Sequence, residues 1–156
     1  LAGMLYENSD EPYCEELAKA ITDEIRRGNR IDTTTKLRNV IEKTLDFLPN
    51  NKEKKDIIKK TCQRTFQALR IDVNNEFEVL YEFMEKLPGA LKPGGRVAIL
   101  TFHSGEDKLV KKALKAGYKE GIYSEYARDV VRPSAQECAQ NGRARSTKMR
   151  WAVKAE

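Results

Sequence analysis

The stretch LKPGGRVAILTFHS, residues 91–104, marks the point where the character of the chain changes. A proline and two glycines form a turn signal, and the apolar run VAIL that follows predicts a β-strand. Because the run is continuous rather than alternating, it is typical of a strand covered on both faces, as in α/β sheets. The next segment, GEDKLVKKALKAG, predicts a helix, and Ser104 is well placed to cap it. The single histidine, His103, therefore falls at the carboxyl end of a strand.

Upstream of this stretch the chain has the apolar periodicity of helices. SDEPYCEELAKAITDEIRRGN predicts a first helix with Ser9 or Asp10 as its cap, and a second helix follows IDTTTK. A third helical region is expected to start near Lys54 and to pack through one apolar stripe. The stripe consists of Phe66, Leu69, Val73, Phe77, Leu80, Met84 and Leu87.

Downstream of residue 104 the chain is richer in strand signals. RDVVRPS predicts a second short strand or extended piece, SAQECAQNGRARS a short helix and loop, and KMRWAVKA a last strand. The natural boundary lies near Leu91. We therefore predict a helical domain over residues 1–91 and a strand-rich domain over residues 92–156.

Composition limits the class of protein. The chain has 156 residues, of which 40% are hydrophobic and 34% charged, so it should be globular and able to build a core. No apolar run approaches the roughly 18 residues of a membrane helix, and we expect no membrane partner. Its three cysteines are far apart and lack a C-x-x-C pair, which argues against a metal site and favours a reduced, cytoplasmic setting.

The segment just beyond the carboxyl end of this strand, which we call the strand mouth, contains candidate pocket residues. They are His103, Ser104, Glu106 and Asp107. Ligands of open α/β sheets bind beyond the carboxyl ends of strands, and an imidazole can hydrogen-bond a base or ribose. A His beside a Ser in sequence is not a nucleophile–base geometry, and a lone His is a weak metal signal. Taken by themselves, these residues favour helix capping over chemistry.

A basic segment near the carboxyl terminus is the second candidate. Residues 132–156 contain six basic and two acidic side chains and so carry +4 of the net charge of +5. Guanidinium groups suit phosphates, so the segment predicts contact with a polyanion such as RNA, although a solvated surface is an equal alternative on charge alone. The predicted RNA-binding residues are Arg132, Asn141, Arg143, Arg145, Ser146, Lys148 and Arg150.

A polar stripe on the third helical region is a lesser candidate. Gln67, Arg70 and Asn74 recur at helical spacing, and their long hydrogen-bonding side chains could line a site. A solvated helix face is the default interpretation of such a stripe.

Three blocks, taken in order, carry a resemblance: RTFQALRIDVNNE, LKPGGRVAILTFHSGEDKLVK, and RPS followed by NGRARSTKMR. Together with IDTTTKL and LYENSDEPYCEELAKAI, they resemble the bacterial small-subunit rRNA (cytosine-N4)-methyltransferases, the RsmH/MraW type. The resemblance covers nearly the whole chain. It implies transfer of a methyl group from S-adenosylmethionine to N4 of a cytidine in small-subunit rRNA.

The resemblance also implies a fold and a partial site. The fold class is α+β, or partial α/β. Residues 1–91 would be a helical insertion, and residues 92–156 would be the last strands of a Rossmann-like, class I methyltransferase sheet. His103, Ser104, Glu106, Asp107, Asn141, Arg143, Arg145 and Ser146 match the cytidine- and RNA-facing half of the family.

The glycine-rich cofactor loop belongs to the amino-terminal half of the family, and this chain has no candidate for it. We therefore predict no cofactor-binding residue here and expect the chain alone to be inactive. The alternative is a relative without catalysis that binds RNA or dimerises. The expected partners are rRNA or the small ribosomal subunit, together with a second copy or the missing amino-terminal half. Without the earlier strands of the family, the strand Val97–Leu100 would have an unpaired edge, and we expect a dimer through that edge or through the exposed helical stripe.

Overall fold

The computed structural model describes all residues from Leu1 to Glu156 and divides them into two compact units. The first unit is Leu1–Glu76, and the second is Phe77–Glu156. The first unit is helical and contains α1 (Ala2–Ser9), α2 (Cys14–Arg26), α3 (Thr34–Thr44) and α4 (Lys52–Asn74). None of the helices in the chain is both long and apolar enough to span a membrane.

Apolar side chains from all four helices form the core of the first unit. Its fully buried members are Leu5, Leu17, Ile41, Leu45 and Ala68. One carboxylate, Glu11, is fully buried beside them and is held by three hydrogen bonds. Arg64 Nε donates to Glu11 Oε2 at 2.7 Å, while the Tyr13 N–H and the Thr61 hydroxyl donate to Oε1 at 3.1 and 3.4 Å. These partners offset the cost of burying the charge.

Two helix boundaries differ from the sequence-based prediction, and a left-handed residue explains each one. Asp10 (φ 52°) ends a helix that the sequence pattern did not reveal, so Ser9 and Asp10 close α1 instead of capping α2. Asn75 (φ 50°) ends α4 and divides the predicted third helical region into two helices. Asp and Asn tolerate this conformation better than other non-glycine residues. The break also removes Val73 from the predicted stripe, since 77% of its surface is exposed.

The second unit combines helices with a small antiparallel sheet. Its strands are β1 (Arg96–Thr101), β2 (Tyr123–Tyr126) and β3 (Lys148–Lys154), in the order β1-β3-β2. Its helices are α5 (Glu76–Ala90, starting at the last residue of the first unit), α6 (Ser104–Lys119) and α7 (Ala135–Gln140), and a short 3₁₀ helix spans Gly142–Ser146. Seven helices and a three-stranded sheet confirm the predicted α+β class.

Only one face of the sheet is covered in this chain. The core of the second unit joins α5, α6, β2 and β3, and consists of Met84, Leu87, Val110, Leu114, Tyr123 and Ala152. Val97 and Ile99 of β1 pack against this core, whereas Ala98 and Leu100 point to the other face and are exposed. The expectation that β1 is covered on both faces is therefore wrong for these residues. Its burial alternates because the helices lie on one side.

The uncovered face is apolar along one row. Leu100 lies opposite Met149 in the β1–β3 register, and Met149 forms an isolated bridge with Val131. Directly opposite residues share a face, and 57% of Leu100 and 42% of Val131 are exposed. β1 pairs with β3 alone, so its other edge is unpaired within the chain, as the sequence predicted.

Two further sequence-based predictions concern the RDVVRPS segment and the boundary near Leu91. The short strand or extended piece expected in RDVVRPS contributes an isolated bridge at Val131, whereas the regular strand β2 lies earlier, at Tyr123–Tyr126, where the sequence did not predict one. The compact units divide after Glu76 rather than near Leu91, because α5 supplies Met84 and Leu87 to the core beneath the sheet. The assignment of residues 1–91 and 92–156 to separate domains stays a prediction.

Candidate functional site

His103 joins the end of β1 to the start of α6. It adopts an extended conformation at the amino cap of α6, and its Nδ1 accepts a hydrogen bond from the Glu106 N–H at 3.4 Å. The ring also packs edge-to-face against Phe77, with ring centroids 5.9 Å apart. Ser104, predicted as the cap, is instead the first residue of the helix and is exposed. A side chain therefore caps α6 as predicted, but it is the imidazole of His103 and not the hydroxyl of Ser104.

Glu106 completes a reciprocal cap. Its Oε2 accepts from the Phe102 N–H at 3.0 Å, while its Oε1 lies 3.4 Å from His103 Nε2. The arrangement is similar to a capping box, but imidazole replaces the usual hydroxyl and the Glu106 carboxylate accepts from the N–H of Phe102, one residue before the cap. Because His103 Nδ1 accepts a hydrogen bond, the proton of a neutral imidazole ring is on Nε2, and Nε2 faces the Glu106 carboxylate. The pair therefore fixes the backbone on which Phe102 presents its ring, and 55% of Phe102 is exposed.

Asp107 and Arg150 form a buried ion pair between α6 and β3. Arg150 Nε donates to Asp107 Oδ1 at 2.7 Å, and Arg150 Nη2 donates to Oδ2 at 3.2 Å. Arg150 Nη1 also lies 3.4 Å from the carbonyls of Ala127 and Arg128, which follow β2. The hydrogen bonds from Arg150 hold the pKa of Asp107 below its usual range, against the opposing effect of burial. The pair thus connects α6, β3 and the segment after β2.

Lys148 and Thr101 lie at the end of the sheet that is next to His103. They lie directly opposite each other in the β1–β3 register, and Lys148 Nζ is 3.8 Å from Asp107 Oδ2. The Thr101 hydroxyl is buried and has no hydrogen-bond partner in the protein. Thr101 and Phe102 were not among the predicted site residues. Their position directly before His103, at the end of the VAIL run, is the signal that could have identified them.

The rest of the basic segment is mostly exposed. Ser134 caps α7 through the Glu137 N–H, and Asn141 Oδ1 accepts from the Arg143 N–H at 3.1 Å, which starts the 3₁₀ helix. Arg132, Arg143, Arg145 and Ser146 are exposed, and the buried Ala144 anchors the 3₁₀ helix from within. Because Ser146 precedes Lys148 by two residues, the chain leads from these arginines directly to the strand mouth.

RNA contact by the predicted residues stays a prediction, but the structure divides them into two groups. Arg150 is buried against Asp107, and Lys148 is mostly covered, so both are engaged with protein groups. Arg132, Asn141, Arg143, Arg145 and Ser146 present their side chains to solvent.

The three residues of the predicted polar stripe lie in the first unit, on α4. Arg70 makes a two-pronged ion pair with Glu76, with Nε–Oε1 at 3.0 Å and Nη2–Oε2 at 3.3 Å. Gln67 is half-buried and Asn74 is exposed. Their part in lining a site stays a prediction.

The architecture of helices with a three-stranded antiparallel sheet is consistent with part of a methyltransferase-like fold. A family model described as the MraW methylase family matches residues 1–155. The chain belongs to this family.

Named relatives match the chain along its whole length. Ribosomal RNA small subunit methyltransferase H 1 of Agathobacter rectalis is 89% identical over 156 residues, which are 100% of this chain and 44% of the relative. The protein of the same name in Lachnoclostridium phytofermentans is 71% identical, over 99% of this chain and 42% of the relative. Ribosomal RNA small subunit methyltransferase H 2 of Alkaliphilus metalliredigens is 59% identical, over 99% and 44% respectively. The chain therefore spans less than half the length of these relatives.

Proposed function

We propose that this chain is the RNA-facing portion of an enzyme that transfers a methyl group from S-adenosylmethionine to N4 of a cytidine in small-subunit rRNA. The observation that carries the proposal is the 89% identity, over every residue of the chain, to a protein named as a ribosomal RNA small subunit methyltransferase. A cytoplasmic location belongs to the same proposal.

On this proposal, the residues of this chain do not by themselves form a site for S-adenosylmethionine. Both carboxylates at the strand mouth are engaged, Glu106 in the cap and Asp107 with Arg150. The Gly94–Gly95 turn lies at the opposite end of β1, where the Gly94 N–H bonds to the Lys154 carbonyl. Neither feature offers a cradle for the cofactor beside His103. On this proposal, the cofactor site lies in the remaining part of such an enzyme.

The open surfaces of the second unit support the idea of a missing part. The unpaired edge of β1 and the exposed row from Leu100 to Val131 are what remains when a larger sheet is divided. An unpaired strand edge invites pairing with another strand, and an uncovered apolar sheet face favours burial. The relatives are more than twice as long as this chain, and a segment equivalent to their additional length is the proposed occupant of both surfaces.

The chemistry proposed for this portion is positioning. The exocyclic amine of cytosine is a weak nucleophile, so holding it in a productive geometry would supply much of the rate. Phe102 has an exposed ring next to the strand mouth and is suited to stacking on an unpaired base. His103 and Glu106 would hold that ring in place through the cap, and Arg143 and Arg145 would contact phosphates.

The second candidate function for the same surfaces is that of a relative without catalysis that binds RNA and dimerises through β1. The unpaired edge of β1 is the observation that favours it. Sedimentation of the purified chain separates the two, because a stable dimer that binds RNA without completing an enzyme would favour the second function.

A transplant tests the first proposal. This chain replaces the matching 156 residues of the Agathobacter rectalis relative, and transfer of labelled methyl groups to small-subunit rRNA is measured. The expected result is transfer to cytidine N4, identified by mass spectrometry of the nucleosides. A chimera that folds but transfers no methyl group to rRNA contradicts the proposal.

Variants of the chimera test the roles of individual residues. Arg143→Ala with Arg145→Ala should raise KM for rRNA about tenfold or more, because two phosphate contacts are lost. The matched control is Lys115→Ala with Lys119→Ala. It removes the same charge from exposed positions roughly 17–22 Å along α6 from its capped end, and should leave KM unchanged.

A further inference from the structure

The first unit contains a groove that the sequence analysis did not predict. A cavity of about 860 Å³ lies between α3 and α4, within the range of ligand-binding sites. Its floor consists of Ile58, Cys62 and Phe66, which recur every four residues along one side of α4 and pack partly into the core. The floor is therefore an apolar strip that ends in an aromatic ring.

The walls of this groove are cationic. Lys55 and Lys59 line it from α4, where they lie one turn apart, and both are exposed. Arg38 lines it from α3 and donates to Glu42, the carboxylate in the lining, at 2.8 Å. Because this internal pair neutralises Glu42, the groove keeps a net positive charge from its two lysines.

The neighbouring sequence strengthens this charge. The first half of α4, residues 52–64, has six basic and two acidic side chains. Two of these basic side chains are committed within the unit, Lys54 to Asp46 at 3.0 Å and Arg64 to Glu11 at 2.7 Å. Lys55 and Lys59 take part in neither pair and are available to an anionic partner.

We propose that this groove binds a single-stranded segment of RNA, with unpaired bases against the Ile58–Cys62–Phe66 floor and phosphates on Lys55 and Lys59. The inference rests on the proposed function for the identity of the polyanion. An apolar floor with an aromatic ring and cationic walls is the combination by which proteins hold single strands. Bases paired in a duplex face inward and could not reach the floor, so an unpaired segment is the partner that uses both features.

The test is fluorescence anisotropy of the 156-residue chain with a labelled single-stranded RNA of about 12 nucleotides. Work at about 0.15 M salt limits long-range electrostatic effects to roughly 8 Å. Lys55→Ala with Lys59→Ala should weaken binding about tenfold. It should also reduce the magnitude of the slope of log K against log salt concentration by about 1.4, because each phosphate contact on a single strand contributes about 0.7 to that slope.

Two further variants distinguish RNA binding in the groove from nonspecific attraction of RNA to positive charge. Lys52→Ala with Lys60→Ala removes the same charge from the same helix at positions outside the groove, and should weaken binding less than about threefold. Phe66→Leu keeps the floor apolar but removes the ring, and should weaken binding about fivefold or more while the salt dependence stays constant. Circular dichroism checks that each variant is folded.

The outcomes distinguish the inference from the proposed function. Loss of affinity in Lys55→Ala with Lys59→Ala, but not in the control pair, supports the groove as an RNA site. If only Arg143→Ala with Arg145→Ala weakens binding, the groove inference is overturned and the proposed function survives. If the unaltered chain binds no RNA, RNA contact by this chain fails as a whole. An oligoglutamate peptide that binds the groove and leaves RNA binding unchanged would identify a protein partner and overturn the inference.

Discussion

Removal of the Asp107 carboxylate should destabilise the second unit strongly. Asp107→Ala would leave the buried Arg150 guanidinium without its two charge-assisted hydrogen bonds, at 2.7 and 3.2 Å, and would place it near the Lys148 ammonium with no intervening anion. Breaking a buried pair by removing one partner typically costs about 3–5 kcal/mol. The carbonyls of Ala127 and Arg128 still accept from Arg150, so the lower end, about 3 kcal/mol, is expected.

The assay is urea unfolding followed by the fluorescence of Trp151. This residue is the single tryptophan of the chain and lies next to Arg150 on β3, so its signal reports on the second unit. With an m value of about 1–2 kcal/mol/M, a loss of about 3 kcal/mol lowers the midpoint by roughly 1.5–3 M. Lys148→Met is the control. Its ammonium is 3.8 Å from Asp107 and remains partly exposed, so the cost should stay below about 1 kcal/mol.

A double variant shows whether the pair itself is responsible. Asp107→Ala combined with Arg150→Met leaves no uncompensated charge, so its cost should be smaller than the sum of the two single costs by about 2 kcal/mol or more. If each single change costs less than about 1 kcal/mol and the costs add, Asp107 and Arg150 do not stabilise the second unit as a buried pair.

The pH dependence should have a definite sign. The pKa of Asp107 is lowered in the folded state, chiefly by the hydrogen bonds from Arg150, so the unfolded chain binds more protons in acid. The stabilisation is fully present above the ordinary aspartate pKa of about 3.9 and is lost as the pH falls through the lower folded value. The difference in stability between the unaltered chain and Asp107→Ala should therefore be constant near pH 7 and should shrink below about pH 4.

Three further changes have expected outcomes. Glu11→Ala should destabilise the first unit by about 3 kcal/mol in thermal unfolding followed by circular dichroism, because it leaves Arg64 without its anion, and a change below 1 kcal/mol would contradict that role. His103→Ala should cost about 1 kcal/mol of stability in urea unfolding, whereas His103→Asn should retain the cap. Equal losses would show that capping is not its contribution. Gly117→Ala places a Cβ about 2.6 Å from the Tyr123 ring and should cost about 1–3 kcal/mol, and a neutral effect would mean that the ring moves freely.

Local sequence patterns predicted the elements whose causes are local. The helix after His103, the strand after the Gly94–Gly95 turn and the final strand all follow from periodicity and turn residues, and the structure contains each of them. The unpaired edge of β1 was predicted from the family resemblance, because the strands that precede it in the family have no counterpart in this chain. The two helix breaks were not, since Asp10 and Asn75 occupy left-handed conformations that their residue types permit but do not require.

The candidate site was predictable in its location but not in its internal contacts. A strand mouth followed by polar residues identified His103 and Asp107. The partner of Asp107 is 43 residues away, and only the β1–β3 register brings Arg150 beneath α6. Charge patterning therefore grouped Arg150 with the exposed Arg143 and Arg145, although burial gives it a structural role. Sequence alone also could not show that β1 is covered on one face, because an apolar run is the same whether its second layer is present or not.

Titration calorimetry with S-adenosylmethionine is the measurement to make first, because it shows whether this chain supplies the RNA-facing portion of the enzyme without the cofactor site. We expect no measurable heat of binding for the folded chain and micromolar binding for the chimera with the Agathobacter rectalis relative. The native fluorescence of Trp151 verifies that the second unit is folded in the same sample. Micromolar binding by the chain alone would contradict this division of roles, because these 156 residues would then contain a cofactor site of their own.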